Sequence, residues 1–247
     1  MTRYYYDLHI HSCLSPCADN DSTPANIAGM AALNGLGIVA LTDHNSTRNC
    51  PAFCAAARRM GLVPIPGMEL TTAEEVHAIC LFPTLEQAMA FGERVEACRI
   101  RIPNRPEIFG DQLVMDEDET VIATEPDLLI NATSLTLSDA YRLACGMGGV
   151  SYPAHIDRPS GGLIAVLGDF PDDPPYTAYE LNREESRAEY LANYPHLREL
   201  VSVVSSDAHQ LGAIAEAAHY VELDDEPYSS RLVAERLIGW LRGEAKE

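Results

Sequence analysis

Strand and helix patterns alternate along the 247 residues and predict an α/β chain folded as a barrel of parallel strands. Three observations carry this expectation. Short apolar, β-rich runs recur with helical stretches between them. Runs such as GIVAL (37–41) and VSVV (201–204) have no polar face to offer water, as expected of parallel strands covered on both sides. Seven or eight such units in under 250 residues fit a closed barrel more readily than an open sheet.

The first strand is expected at 4–9, where Tyr4, Tyr5, Tyr6 and Leu8 have aromatic and apolar strand character. Alternation would then point Asp7, His9 and His11 one way and Leu8 and Ile10 the other. A helix follows at 23–37, with Thr23 as cap and Pro24 in the first turn. Further strands are expected at 37–42, 62–69, 76–82, 149–155, 179–182, 201–206 and 219–223. Further helices are expected at 51–61, 85–100, 138–146, 184–194 and 229–241. One segment breaks the rhythm: the acidic turn 116–119 lies between two alternating runs, so 112–123 reads as an inserted hairpin, a surface excursion more than a lid.

At 47% hydrophobic, with 16 glycines and 16 prolines scattered and no low-complexity block, the chain reads as one domain over 1–247. It contains no run of the roughly 20 apolar residues a membrane span needs. MTRYYYDLHI enters a strand directly, so the expectation is a cytoplasmic protein with no membrane partner. Seven cysteines without a Cys-x-x-Cys pair argue against a disulfide framework. Cys54, Cys80, Cys98 and Cys145 read as buried thiols, although Cys13/Cys17 and Cys50/Cys54 have spacings a structural zinc site could use. The net charge of −20 implies repulsion of nucleic acid polymers, and of a phosphate ester too unless bound metal supplies positive charge; the expected partner is a small phosphorylated substrate. The charge specifies no oligomeric state.

The histidines concentrate at strand ends. DLHIHS (7–12) carries His9 and His11, LTDHN (41–45) carries Asp43 and His44, and PGMEL (66–70) carries Glu69. EEVHAICLFP (74–83) adds His77, VSYPAHIDRP (150–159) adds His155, and VVSSDAHQLG (203–212) adds Asp207 and His209. Six of the eight histidines thus fall where the rim of a parallel barrel builds its active site; His196 and His219 lack an acidic companion and read as structural. Imidazoles and carboxylates without a thiolate set suit Zn²⁺, Mn²⁺ or Fe²⁺. Six histidines and two carboxylates exceed the need of one tetrahedral ion, so two or three divalent ions are expected.

Taken together and in order, DLHIHS, LTDHN, GMEL, PAH and SSDAH resemble the polymerase and histidinol phosphatase (PHP) family. The resemblance implies a distorted (β/α)7 TIM-like barrel with a two- or three-metal centre that hydrolyses phosphate esters. It implies that His9, His11, Glu69 and Asp207 hold one ion, Glu69 bridging with His77 and His155 a second, and His44 with His209 a third. One departure is visible: where the family carries another histidine or aspartate, this chain reads SCLSPCADNDSTP (12–24). Asp19 is the expected ligand there; a Cys17 thiolate or a helix-capping role for the acids are the alternatives.

The implied reaction is attack of a metal-bridging hydroxide on the phosphorus of a small phosphomonoester or phosphodiester, with Asp207, His209 and His155 as catalytic groups. Asp43 would orient a ligand or cap its loop. Arg158, three residues past His155 in a Ser/Gly-containing turn, could fork onto a phosphate oxygen or simply form a surface ion pair; Arg48 is a lesser candidate. Two other classes compete. An amidohydrolase-like C–N hydrolase would need a carboxylated lysine on a strand, whereas Lys246 is the sole lysine. A non-catalytic metal-binding domain would not need so complete a ligand set.

Overall fold

In the computed structural model, which describes residues 1–244, each strand run read from the sequence becomes a strand. β1 (Thr2–Asp7), β2 (Ile38–Leu41), β3 (Val63–Thr71) and β4 (His77–Leu81) come first, with α1 (Pro24–Leu33) and α2 (Cys50–Arg59) as crossovers. α3 (Leu85–Glu96) leads to a segment holding α4 (Pro106–Phe109), β5 (Leu113–Met115) and β6 (Val121–Thr124). Then come α5 (Leu137–Gly146), β7 (Val150–Pro153), α6 (Leu163–Leu167), β8 (Ala178–Leu181), α7 (Arg187–Asn193), β9 (Val201–Val204), β10 (Tyr220–Leu223) and α8 (Ser230–Leu241). Side-chain caps start four of the helices: Thr23 on Asn26 N (3.2 Å), Thr84 on Gln87 N (3.3 Å), Ser229 on Leu232 N (3.0 Å), and Thr136 in a capping box with Asp139. α3 stops four residues short of the expected 100 because Arg99 leaves it to bridge Thr133.

The sheet order is β10-β1-β2-β3-β4-β7, with β8 and β9 a separate parallel pair. Backbone bonds join the two pieces: Ile156 N donates to Glu180 O (2.9 Å) beyond β7, and His11 N to Ala208 O (2.9 Å) beyond β9. The seven strands β1, β2, β3, β4, β7, β8 and β9 therefore curl into the distorted TIM-like barrel expected, and β10 adds antiparallel outside it. One member of the ring departs from the all-parallel expectation: β4 pairs antiparallel with both β3 and β7. Only residues 72–76 separate β3 from β4, too few for a crossover helix, so the chain must reverse. The reversal puts the first residue of β4, His77, opposite Thr71 at the rim where the other strands end.

Alternation assigns the layers. Ile38 and Ala40 of β2 enter the barrel core, while Val39 and Leu41 pack outward with Ile27, Ala31, Phe53 and Cys54 of α1 and α2. α8 contributes Val233, Leu237 and Leu241 to the same core as Ile38, Val63, Val150 and Ala178, the first residues of their strands, and so closes the N-terminal end of the barrel. The C-terminal end is left for polar residues. On β1 the expected alternation fails: Tyr6 and Leu8 lie in the barrel core but Ile10 lies with the outer layer, because the regular strand ends at Asp7 and the chain then docks on Thr42. Asp7 is thereby turned to Ser206 and Ala215 instead of accompanying His9 and His11.

The segment 112–123 forms β5 and β6, fastened inward by Asn49, whose Nδ2 donates to Leu113 O (3.0 Å) and whose Oδ1 accepts from Met115 N (2.9 Å). Among the described residues no helix is long and apolar enough to cross a membrane.

Gly67 sets how closely β3 and β4 approach: a Cβ there would lie 2.7 Å from Cys80 O and 2.6 Å from Leu81 Cδ2. Gly67→Ala is expected to cost about 1–3 kcal/mol through overpacking, read as a lowered urea midpoint with an unchanged denaturant slope.

Candidate metal centre

Loops leaving β1, β2, β7 and β9, together with β3 itself and the first residue of β4, deliver eight side chains to one place. Glu69 is the centre. Its Oε1 lies 2.8 Å from His77 Nδ1, 2.9 Å from His155 Nε2 and 3.4 Å from His9 Nε2. Its Oε2 lies 2.9 Å from His44 Nδ1 and 3.2 Å from His11 Nε2. Asp207 Oδ1 is 3.2 Å from both His9 Nε2 and His11 Nε2. Three groups have ligand atoms all within 4.8 Å of one another: His9, His11, Glu69 and Asp207; His44, Glu69 and His77; and His11, His44 and His209. Each is a set able to hold one ion.

The donor set fits divalent ions. Among the described residues, both ring nitrogens of His44, Glu69 Oε2, Asp207 Oδ1 and His155 Nδ1 are buried without a hydrogen-bond partner. Such orphaned groups are costly unless something else satisfies them. His44 Nδ1 and Glu69 Oε2 approach to 2.9 Å yet do not hydrogen-bond, the relation of two lone pairs aimed at a shared cation.

Buried acids hold the ligands from behind. Asp43 accepts from Ser12 N, Ser12 Oγ and Ser15 Oγ, each at 2.7 Å, so it both pins its neighbouring loop and reaches a ligand. Ser15 spends its one proton on Asp43, so at 2.9 Å it accepts from His11 Nδ1–H, which leaves Nε2 facing the cluster. Asp7 accepts from Ser206 N (3.1 Å), Ser206 Oγ (2.6 Å) and Ala215 N (3.0 Å), fixing the loop that carries Asp207. Asp207, His155 and Asn45 have φ of 51°, 25° and 47°; strain of this kind persists only where surrounding bonds impose it.

Charge divides the imidazoles into two kinds. Burial alone opposes a charge on His9, but Glu180, Asp207 and Glu69 hold it well above its ordinary value. For His11 burial also opposes, and the adjacent carboxylates of Asp207 and Glu69 push it to about 9. Burial lowers His44 to about 3 and His209 to about 4. Despite its burial, Glu69 is held well below the carboxylate range by His77, His9 and His44, and Asp207 is held low by His9 and His11.

The structure brings together His9, His11, His44, Glu69, His77, His155, Asp207 and His209. It does not bring Asp19. That side chain is exposed and outside the three ligand groups; its loop is held by its backbone, Asp19 N donating to His209 O at 2.9 Å. The extra residues after Ser12 carry the acid past the cavity, and Cys17, an exposed free thiol, lines the mouth instead. Arg158 also lines the cavity and donates from Nη1 to Asp207 Oδ2. Arg48 is turned away onto Glu125 Oε2 (3.1 Å). All seven cysteines are free; Cys98 and Cys145 are half-buried where burial was expected. His196 packs on Phe170, with ring centroids 5.6 Å apart. Lys246 lies outside the described residues. Sequence reasoning missed Glu180, whose fully buried carboxylate lies 2.8 Å from His9 Nδ1; an acid inside a strand read as buried was the available signal.

The cluster floors a solvent-open cavity of about 380 Å³ whose walls include Cys17, Ile130, Arg158 and Ser160.

A family model for the PHP domain matches residues 7–231. The error-prone DNA polymerase of Symbiobacterium thermophilum is 36% identical over 77 residues, covering 31% of this chain and 7% of the polymerase. The 5'-3' exoribonuclease Rnm of Salmonella typhimurium is 38% identical over 76 residues, covering 30% of this chain and 25% of that protein. The matches thus involve only a small part of the length of these curated relatives. Among solved structures, the lesion-specific endonuclease EndoQ of Pyrococcus furiosus superposes with a TM-score of 0.63 at 20% identity, covering 99% of this chain and 57% of that one. A metal-dependent phosphoesterase of Bifidobacterium adolescentis, described as putative in its source, gives 0.59 at 20% identity, covering 95% of both chains. A nucleic acid polymer was expected to be repelled, and these matches, with EndoQ also seen on a DNA duplex, overturn that expectation. Net charge is a sum over the whole surface, whereas a strand meets the local field of the site.

An ion must displace the proton that the metal-free cluster keeps on His11. Raised from 6.5 to about 9, this group contributes stability in chelator that is fully present below about pH 6.5 and lost as pH rises through about 9. Ion affinity is therefore expected to rise across the same window, with protons released on binding near neutral pH. Calorimetry in buffers of differing ionisation enthalpy tests this, and a pH-independent affinity contradicts it.

Proposed function

Because the chain belongs to the PHP domain family and is a metal-dependent hydrolase, we propose that it cleaves phosphodiester bonds at the end, or in an unpaired stretch, of a nucleic-acid strand. The observation that carries this reading is Glu69 in contact with five imidazoles at the floor of an open cavity, with unpartnered acceptors facing it. The proposed first ion lies among His9, His11, Glu69 and Asp207. A second lies between Glu69, His77 and His155, and a third at His44 and His209. Imidazole and carboxylate ligands suit Zn²⁺, Mn²⁺ or Fe²⁺. When bound, such ions supply Lewis acidity toward phosphate oxygens and an activated water.

The chain's own groups do the rest. Asp207 and Glu69, held anionic, fix the cage and keep its charge local. His44 and His209 stay neutral, so they offer lone pairs rather than protons, and the leaving oxygen takes its proton from solvent at the open mouth. His155, on Glu69 Oε1, faces the same space. Arg158 is the cationic side chain in the cavity wall among the described residues, and its guanidinium is the group that meets a non-bridging phosphate oxygen.

Depth favours an end or a single strand. The ligands are buried while the opening is flanked by Ile130 and the 158–160 loop, so a phosphate must descend to reach them. A stacked duplex cannot make that descent without unpairing. Carboxylated-lysine chemistry has no residue to carry it among the described residues.

Elemental analysis followed by assays on labelled oligonucleotides, single-stranded and duplex, and on nitrophenyl mono- and diesters tests the proposal. Single strands and diesters are expected to be turned over and chelation to abolish turnover; activity confined to monoesters or to amides contradicts it. His9→Ala and Glu69→Ala should each lose more than about 10²-fold in metal affinity, since even groups supporting a ligand are worth 10–100-fold, whereas His196→Ala should leave metal content and turnover intact.

A further inference from the structure

β8 alternates as a barrel strand should. Ala178 enters the barrel core and Tyr179 and Leu181 pack outward, which leaves Glu180 pointing inward from a fully buried position. An apolar residue would be the ordinary occupant. A carboxylate there carries a desolvation cost that needs compensation. Among the described residues its one ion-pair partner is His9: Oε1 lies 2.8 Å from His9 Nδ1 and also accepts from His155 N at 3.1 Å. The second oxygen has no partner. Glu180 is not among the residues lining the cavity, so any effect on chemistry must pass through the histidines it holds.

We infer that Glu180 is a positioning residue of the metal centre: it fixes His9 with Nδ1–H directed into the barrel and Nε2 toward Glu69 and Asp207, and it anchors the backbone of His155 from the same oxygen. This rests on the proposed ion sites. His9 belongs to the ligand group with His11, Glu69 and Asp207, and His155 Nε2 lies 2.9 Å from Glu69 Oε1 at the proposed second ion site, so one buried carboxylate would brace both proposed sites from behind. A carboxylate on the far nitrogen also makes the imidazole a stronger ligand. The bond to His155 N explains how that residue keeps a φ of 25°, a conformation a histidine seldom adopts unaided.

The test uses Glu180→Gln, which keeps shape and an acceptor oxygen while removing the charge, with Glu180→Asp as the shorter carboxylate. Zn²⁺ and Mn²⁺ titrations against a competing chelator, without substrate, are expected to show the tightest site weakened about 10–100-fold in Glu180→Gln. The melting temperature should fall more with Zn²⁺ bound than in excess EDTA, and long-range ¹H–¹⁵N spectra of the Zn²⁺-loaded protein should lose the pure Nδ1–H form of His9, since the amide can turn its NH₂ to the ring. Metal affinity equal to wild type overturns the inference. So does a parallel fall in affinity and in the EDTA melting temperature for both variants, which would mark a merely structural role. Because no substrate is used, absence of phosphodiesterase activity would count against the proposed function without touching this result.

Discussion

One buried carboxylate organises this molecule. Glu69 touches five imidazoles that come from β1, β2, β4 and β7 or the loops after them, and its charge is stable in that position only because they surround it. The constraint reaches into the backbone. Gly67, two residues earlier, lets β4 lie close against β3, and the short turn after Thr71 forces β4 to run backwards. A parallel β4 would carry His77 to the wrong end of the barrel. The single reversed strand of the ring is thus what delivers the fifth imidazole to Glu69.

A second layer of acids keeps that arrangement rigid. Asp7, Asp43 and Glu180 are fully buried, and each bonds backbone N–H groups or a ligand imidazole, not a lysine or arginine. Burial raises the pKa of Asp7 and Asp43 in spite of those bonds. Their compensation is therefore local hydrogen bonding, which fixes direction as well as charge. Of the strained residues, His155 is bonded to Glu180 and Asp207 follows the Asp7-bound Ser206, so their geometry is imposed by the chain itself.

Most of the barrel was legible because parallel strands with crossover helices write a strong signal: apolar runs of four or five residues alternating with capped helices. The cluster of side chains was legible because histidines and acids recur at strand ends in a fixed order. What escaped was set by turns and by burial. The direction of β4 depends on the length of 72–76, and the break in alternation after Leu8 depends on where the chain docks on Thr42; neither changes the apolar pattern. Asp19 was placed by counting along a loop, but a loop's path follows its backbone bonds, and the one to His209 O leaves the side chain outside. Glu180 was hidden because it looks like any acid in a short strand, and only its depth reveals a partner.

The same distinction between sum and place explains why total charge misjudged the partner. A net charge of −20 describes a surface whose charges are screened beyond about 8–10 Å in physiological salt. Inside the cavity two ligand carboxylates, Glu69 and Asp207, face the ion sites. Two divalent ions would already outweigh them, and Arg158 adds a further positive charge at the wall. A phosphate entering the cavity meets that local field at close range, where water is displaced and the attraction is strongest. On the proposed function, the acidic exterior would act on affinity for long strands more than on chemistry: it would weaken extended binding along a polymer while leaving a terminal phosphate free to be drawn in.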